Sequence, residues 1–161
     1  MIIKKHEIPL NLLSYIALFK RLPPHHPKLR SCENEINYYY SGYKGEQSLN
    51  YFLKFIDNKS YMILHDLRLP FMNHHYQIDT LILAPNFFLV IEVKNLKGFI
   101  QFNHEKGKMY QILEDENKSF PDPLLQVNTQ VYQIKSYLLR LGLSHVPVES
   151  QVVFVNQNVN Q

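Results

Sequence analysis

Residues 76–94 constrain this chain more than any other stretch: Tyr-Gln-Ile-Asp-Thr-Leu-Ile-Leu-Ala-Pro-Asn-Phe-Phe-Leu-Val-Ile-Glu-Val-Lys. Two apolar runs of strand character meet at Ala84-Pro85-Asn86. In the second run, residues 87–91 are all apolar before Glu92, as in a strand buried on both faces. Strand side chains alternate between faces with period two. Glu92 and Lys94 therefore share a face, about 6.5 Å apart along the strand. On the first run, Gln77, Asp79, Leu81 and Leu83 fall on one face, and Tyr76, Ile78, Thr80 and Ile82 on the other. A hairpin about Pro85 sets position 79 roughly opposite position 91 or 92, which brings Asp79 within reach of Glu92. A carboxylate that ends such an oily strand needs a partner. Two readings of the residues stay open. One is an ion pair of Lys94 with Glu92 or Asp79. The other is a divalent-cation site of Asp79 and Glu92 with a lysine beside it.

The rest of the chain supplies the frame. Residues 1–9 read as extended, and the spacing of Leu12, Leu13, Ile16, Phe19 and Leu22 predicts an amphipathic helix over 10–22. Pro23-Pro24 and Pro27 end it. Residues 28–44 read as a second helix whose tyrosines, Tyr38-Tyr39-Tyr40, pack a helical layer on the core rather than stack on bases. A further helix opens at Gly45 and runs to 56, with Leu49, Phe52, Leu53 and Ile56 inward. Residues 57–60 form a turn, and 61–69 a strand. On that strand His65 and Asp66 face opposite sides, which gives both a structural role. His74-His75 in the next turn read as solvated loop residues. Residues 98–102 and 109–113 form a hairpin about Lys106-Gly107-Lys108, and a polar loop covers 114–118. A helix then starts near Pro123. Its core stripe is Leu124, Val127, Val131, Ile134, Leu138 and Leu141, and Gly142 closes it. Gln126, Gln130, Gln133 and Tyr137 share another face of that helix. Residues 151–155 form the last strand. Helix, three strands, hairpin, helix and strand make an α/β sheet flanked by helices, preceded by an N-terminal helical segment.

A chain of 161 residues suits one domain, and 45% hydrophobic residues suffice for a core. The net charge of +3 only mildly favours an anionic partner. The single cysteine, Cys32, excludes an internal disulfide and fits a reducing, cytoplasmic location. No stretch has the apolar length of a membrane span. The apolar patch after Lys4-Lys5 is interrupted by Asn11 and Ser14 and lacks a small-residue cleavage site, so it is not a signal peptide.

An Asp, a dozen residues, then Glu-x-Lys at the end of a hydrophobic strand resembles the signature of the PD-(D/E)xK, or restriction-endonuclease-like, superfamily. The wider context resembles its nuclease-related domain (NERD) branch in bacteria. Five pieces carry the resemblance over roughly residues 42–155: Gly45-Glu46; Leu64-His65-Asp66-Leu67; Gln77-Ile78-Asp79; Ile91-Glu92-Val93-Lys94-Asn95 with Gly98; and Pro123-Leu124-Leu125-Gln126. The resemblance implies an αβββαβ core with a mixed sheet. It divides the chain into an N-terminal helical extension, 1–41, and a nuclease-related domain, 42–161. Relatives often continue further, which implies a domain truncated at its C-terminal end.

The implied activity is Mg²⁺- or Mn²⁺-dependent hydrolysis of phosphodiester bonds, with nucleic acid, DNA above all, as partner. Asp79 and Glu92 are the implied metal ligands, joined by the Val93 carbonyl. Glu46 either joins them or serves as an acidic residue in the first turn of a helix. Lys94 orients and helps deprotonate the attacking water. Gln126, in the first turn of its helix, holds Lys94 or the scissile phosphate, or else belongs to a solvated face. Gln133 and Tyr137 also match a Gln-x-x-x-Tyr found in other nuclease branches, but they lie further from the strand ends. The N-terminal helices offer a surface for a homodimer. Two other functions stay open: a catalytically silent nucleic-acid-binding module on the nuclease fold, and a regulatory or assembly domain of a longer protein.

Overall fold

The computed structural model describes residues 1–56, 60–114 and 116–156, and the backbone of 159–160. Most of the turn expected at 57–60, and Asp115 of the expected polar loop, lie outside the described residues. A short strand β1 (Ile2–Lys4) precedes helices α1 (Leu10–Phe19) and α2 (Leu29–Leu53). Strands β2 (Met62–Phe71), β3 (His74–Leu83) and β4 (Phe88–Lys94) follow. After them come β5 (Gly98–Asn103), β6 (Lys108–Ile112) and β7 (Asn117–Pro121), then helix α3 (Pro123–Arg140), β8 (Val148–Phe154) and β9 (Val159–Asn160). Among the described residues, the strands form two sheets, ordered β1-β2-β3-β4-β8 and β7-β6-β5-β9. The first is mixed: β2, β3 and β4 run antiparallel to one another, and β1 joins β2, and β8 joins β4, in parallel. The order α2, β2, β3, β4, α3, β8 is the αβββαβ core of a restriction-endonuclease-like fold. Among the described residues, no helix is long and apolar enough to cross a membrane.

The first sheet is covered on both faces. On one, Leu49 and Leu53 of α2 pack with Ile63, Ile82, Ile91 and Val93. On the other, Val127, Ile134 and Leu138 of α3 pack with Leu81, Val90 and Val148. This double burial is why β4 reads as a continuous apolar run. The α3 stripe is shorter than its spacing predicts, because Leu124 and Leu141 at its two ends are exposed. Pro123 sits in the first turn of α3, and the Asp122 carboxylate caps it by accepting from the Leu124 N–H at 2.8 Å.

Several local expectations are corrected. The helices expected at 28–44 and 45–56 are one continuous α2, which runs unbroken through residues 41 and 42. Gly45 does not open a helix. It lies inside one, where a Cβ would come within 2.5 Å of Asn95 Cβ. Asn95 in turn donates to the Ser41 carbonyl at 2.8 Å, so glycine permits a close approach of helix and strand end. Tyr39 stacks on Tyr15 of α1 as a packing residue should. Tyr38 and Tyr40 do not, being 66% and 50% exposed. The expected hairpin after β4 is a three-stranded meander, since residues 117–121, expected in part as a polar loop, pair with β6 as β7. Residues 2–4 are not merely extended but pair with β2.

The strict alternation expected for β3 also fails. Tyr76 and Ile78 pack in the same cluster as Leu81, not on the opposite face. The cause lies on the neighbouring strand. Asp66 has φ +50°, in the left-handed region that aspartate tolerates better than most residues. Ile63 packs on the α2 side, yet Leu67, Leu69 and Phe71, of the same parity, pack on the α3 side. The pleat thus changes phase at Asp66 and, opposite it, at Asp79.

Candidate active site

The β3–β4 turn and the register on either side of it build the centre of the site. Ala84 N–H donates to the Phe87 carbonyl across the turn. From there Leu83 pairs with Phe88 and Thr80 with Ile91, so the next position along sets Asp79 beside Glu92. There the ladder gives way. The Asp79 carboxylate, not a backbone carbonyl, accepts the Val93 N–H, at 3.0 Å. Lys94 Nζ lies 2.6 Å from Glu92 Oε1, as their shared strand face requires. The same Nζ donates to Gln126 Oε1 at 3.0 Å. Gln126 stands in the first turn of α3, above the strand ends. Gln133, two turns or roughly 10 Å further along the helix, is buried, and neither it nor Tyr137 lines the cleft.

The other oxygen of Glu92 has a partner that the sequence reading placed only on a polar helix face. Gln130 Nε2 donates to Glu92 Oε2 at 2.9 Å and to the Gln77 carbonyl at 3.1 Å. Glu92 is 2% exposed. A carboxylate so deep is tolerable only with both oxygens occupied. The sequence signal for Gln130 is its spacing of four from Gln126, which puts both on one side of the helix.

Glu46 reaches the site from the fifth turn of α2, not from a helix N-terminus, so the first-turn reading does not apply. Burial first, then the charges of Asp79 and Asp66, push its carboxyl up to about 8. Burial and the charge of Glu92 push Asp79 up to about 7, against the lowering by the Val93 N–H and Lys94. Asp66 goes the other way. Burial raises it, but the bonds from His6 and the Glu7 N–H outweigh burial and hold it below the usual range. Four carboxylates thus act on one another, a concentration of negative charge typical of functional sites.

His65 and Asp66 do not face opposite sides as regular alternation predicts: both meet His6, the first by ring stacking and the second through its carboxylate. His65 is fully buried and bonds Thr80 Oγ1 at 2.9 Å. Burial, with His6 nearby, pushes it down to about 4 and keeps it neutral. Asp66 meets His6 Nδ1 at 3.2 Å and accepts the Glu7 N–H at 2.8 Å. His74 and His75 begin β3 rather than lying in a turn, and neither lines the cleft; His74 meets the Phe71 ring edge-on.

Glu46, Asp79, Glu92, Val93, Lys94 and Gln126 all line one cleft of about 1360 Å³. Its walls come from the N-terminal half of α2, including Arg30, Tyr38 and Tyr39, and from the second sheet, including Lys118 and Phe120. Basic and aromatic side chains therefore surround a group of carboxylates. The family model of the nuclease-related domain matches residues 41–155. No curated protein and no solved structure matches the chain.

Proposed function

Because this chain belongs to the nuclease-related domain family, we propose that it is a divalent-cation-dependent nuclease that hydrolyses phosphodiester bonds in DNA. The observation that carries this reading is the hydrogen-bonded set Asp79, Glu92, Lys94 and Gln126 at the floor of one cleft. Carboxylates alone would suit many roles. A lysine held between a carboxylate and a glutamine amide, beside a second carboxylate, suits a phosphodiester.

The donors fit a hard cation. Asp79 and Glu92, with the Val93 carbonyl and Glu46, offer oxygen only, the ligand type that Mg²⁺ and Mn²⁺ prefer. A bound cation would neutralise charge on the phosphate and lower the pKa of a water. This chain's own residues do the rest. Val93 N–H and Gln130 fix the two carboxylates in place, so little reorganisation is needed during reaction. Lys94 Nζ can exchange Glu92 or Gln126 for a phosphate oxygen or a water and hold it in line. Arg30, Lys97 and Lys118 along the cleft attract the phosphate backbone, and the exposed ring of Tyr38 offers a base a stacking surface.

The test is cleavage of single-stranded, double-stranded and supercoiled DNA, and of RNA, with Mg²⁺, Mn²⁺ or EDTA. Cutting should require metal and fall by at least about a hundredfold in both Asp79→Ala and Lys94→Ala. Lys94→Ala should keep most of the cation affinity, whereas Asp79→Ala loses it. Cutting that persists in Asp79→Ala would refute the assignment. A folded wild type that binds DNA without cutting would favour the silent binding module.

A further inference from the structure

We infer that His6, Glu46 and Asp66 form a second cation site, for a divalent transition metal, beside the Asp79–Glu92 centre. It depends on the proposed reading of the cleft only through Glu46, which interacts with the carboxylates of both places.

One imidazole nitrogen of His6 and one oxygen from each of Glu46 and Asp66 lie within 4.8 Å of one another. His6 Nδ1 and Asp66 Oδ1 are 3.2 Å apart, a separation that suits neighbouring donors each about 2.0–2.2 Å from one ion. The three residues come from three elements of the chain: the segment after β1, the middle of α2, and β2. Their meeting is built into the fold. β1 pairs with β2 and delivers the following segment to the sheet. The left-handed backbone at Asp66 turns its carboxylate toward that segment, where the Glu7 N–H holds one oxygen.

A second observation concerns the imidazole. The His6 side chain is only 2% exposed. It is stacked on the His65 ring with centroids 3.8 Å apart, which locks its plane. Its Nε2 is buried and meets no hydrogen-bond partner among the described residues. Burial and stacking hold the ring with Nδ1 toward Asp66. Imidazole with two carboxylates favours Mn²⁺, Co²⁺ or Zn²⁺ over Mg²⁺ or Ca²⁺. This site thus offers a nitrogen donor that the all-oxygen set at Asp79 and Glu92 lacks.

The probe is Mn²⁺, titrated into the full chain after treatment with EDTA, with stoichiometry read by calorimetry and ligation by pulsed EPR. Two Mn²⁺ should bind, one of them with ¹⁴N coupling. His6→Gln should remove the nitrogen coupling and one equivalent of Mn²⁺. Asp66→Asn can still accept the Glu7 N–H and should do the same, which covers the case of a His6 variant that does not fold. Asp79→Asn should lose the other ion and keep the coupled one. No nitrogen coupling in the wild type, or coupling that survives both His6→Gln and Asp66→Asn, would overturn the inference. A single nitrogen-coupled ion indifferent to Asp79→Asn would uphold this site and sink the proposed metal centre of the cleft. A single nitrogen-free ion lost with Asp79→Asn would do the reverse.

Discussion

Glu92 shows how a charge survives inside this molecule. Lys94 takes one oxygen and Gln130 the other, and Gln130 also ties the Gln77 carbonyl of β3 to α3. One amide therefore joins two strands and a helix at the site. Gln130→Ala would leave a buried carboxylate oxygen and a backbone carbonyl without that donor. A loss of about 1–3 kcal/mol is expected, together with weaker cleavage, because Glu92 is no longer fixed. Urea melts and cleavage rates check this. Unchanged stability would show that Gln130 is a bystander. Glu92 and Lys94 were legible in the sequence because period two alone puts them on one face. Gln130 was visible only as part of a polar helix face. A solvated face has the same spacing, and only the seat of α3 on β4 distinguishes the two.

At the scale of elements, α2 is decisive. Its C-terminal half packs on the sheet, its N-terminal half forms a wall of the cleft, and Gly45 lies at the junction. Two effects oppose each other at Gly45. Alanine would gain up to about 1 kcal/mol of helix propensity. Its Cβ would meet Asn95 Cβ at 2.5 Å, and relieving such an overlap costs about 1–3 kcal/mol. The contact should win, so Gly45→Ala is expected to lower stability in urea and to shift Glu46 relative to Asp79. A stabilised variant would mean that Asn95 simply moves aside. The sequence could be misread here because Gly45 next to Glu46 looks like the opening of a helix. Glycine is equally suited to close packing, and nothing local separates the two uses. β7 was missed for a related reason: Asn117-Lys118-Ser119 has loop-like composition, and its strand character comes from pairing with β6.

For the molecule as a whole, the clustered carboxylates set a pH dependence. Glu46 and Asp79 titrate near 8 and 7 in the folded chain, above their ordinary values of 4.5 and 3.8. Between those limits the folded state binds more protons than the unfolded state, so stability falls as pH rises. His65 acts in the opposite sense, titrating near 4 when folded against 6.5 when unfolded. Its contribution is complete above about pH 6.5 and is lost as pH falls toward 4. From pH 6.5 to 8.5 His65 therefore adds no further change, and the two carboxylates pull stability down. The melting temperature in EDTA should drop across that interval, and Mg²⁺ or Mn²⁺ should restore more of it at pH 8.5 than at pH 6.5. A flat profile in EDTA would mean that the carboxylates do not crowd one another. The sequence by itself determined what depends on near neighbours: the β3–β4 hairpin, the shared face of Glu92 and Lys94, the start of α3 near Pro123, and the order of a nuclease-like core. Each follows from residue periods and turn chemistry acting over a few positions. Only the tertiary structure decided which helix face meets Glu92, where the pleat changes phase, and that His6 lies against Asp66, 60 residues away. Those contacts depend on how distant elements dock, and a local pattern carries no record of the partner it will meet.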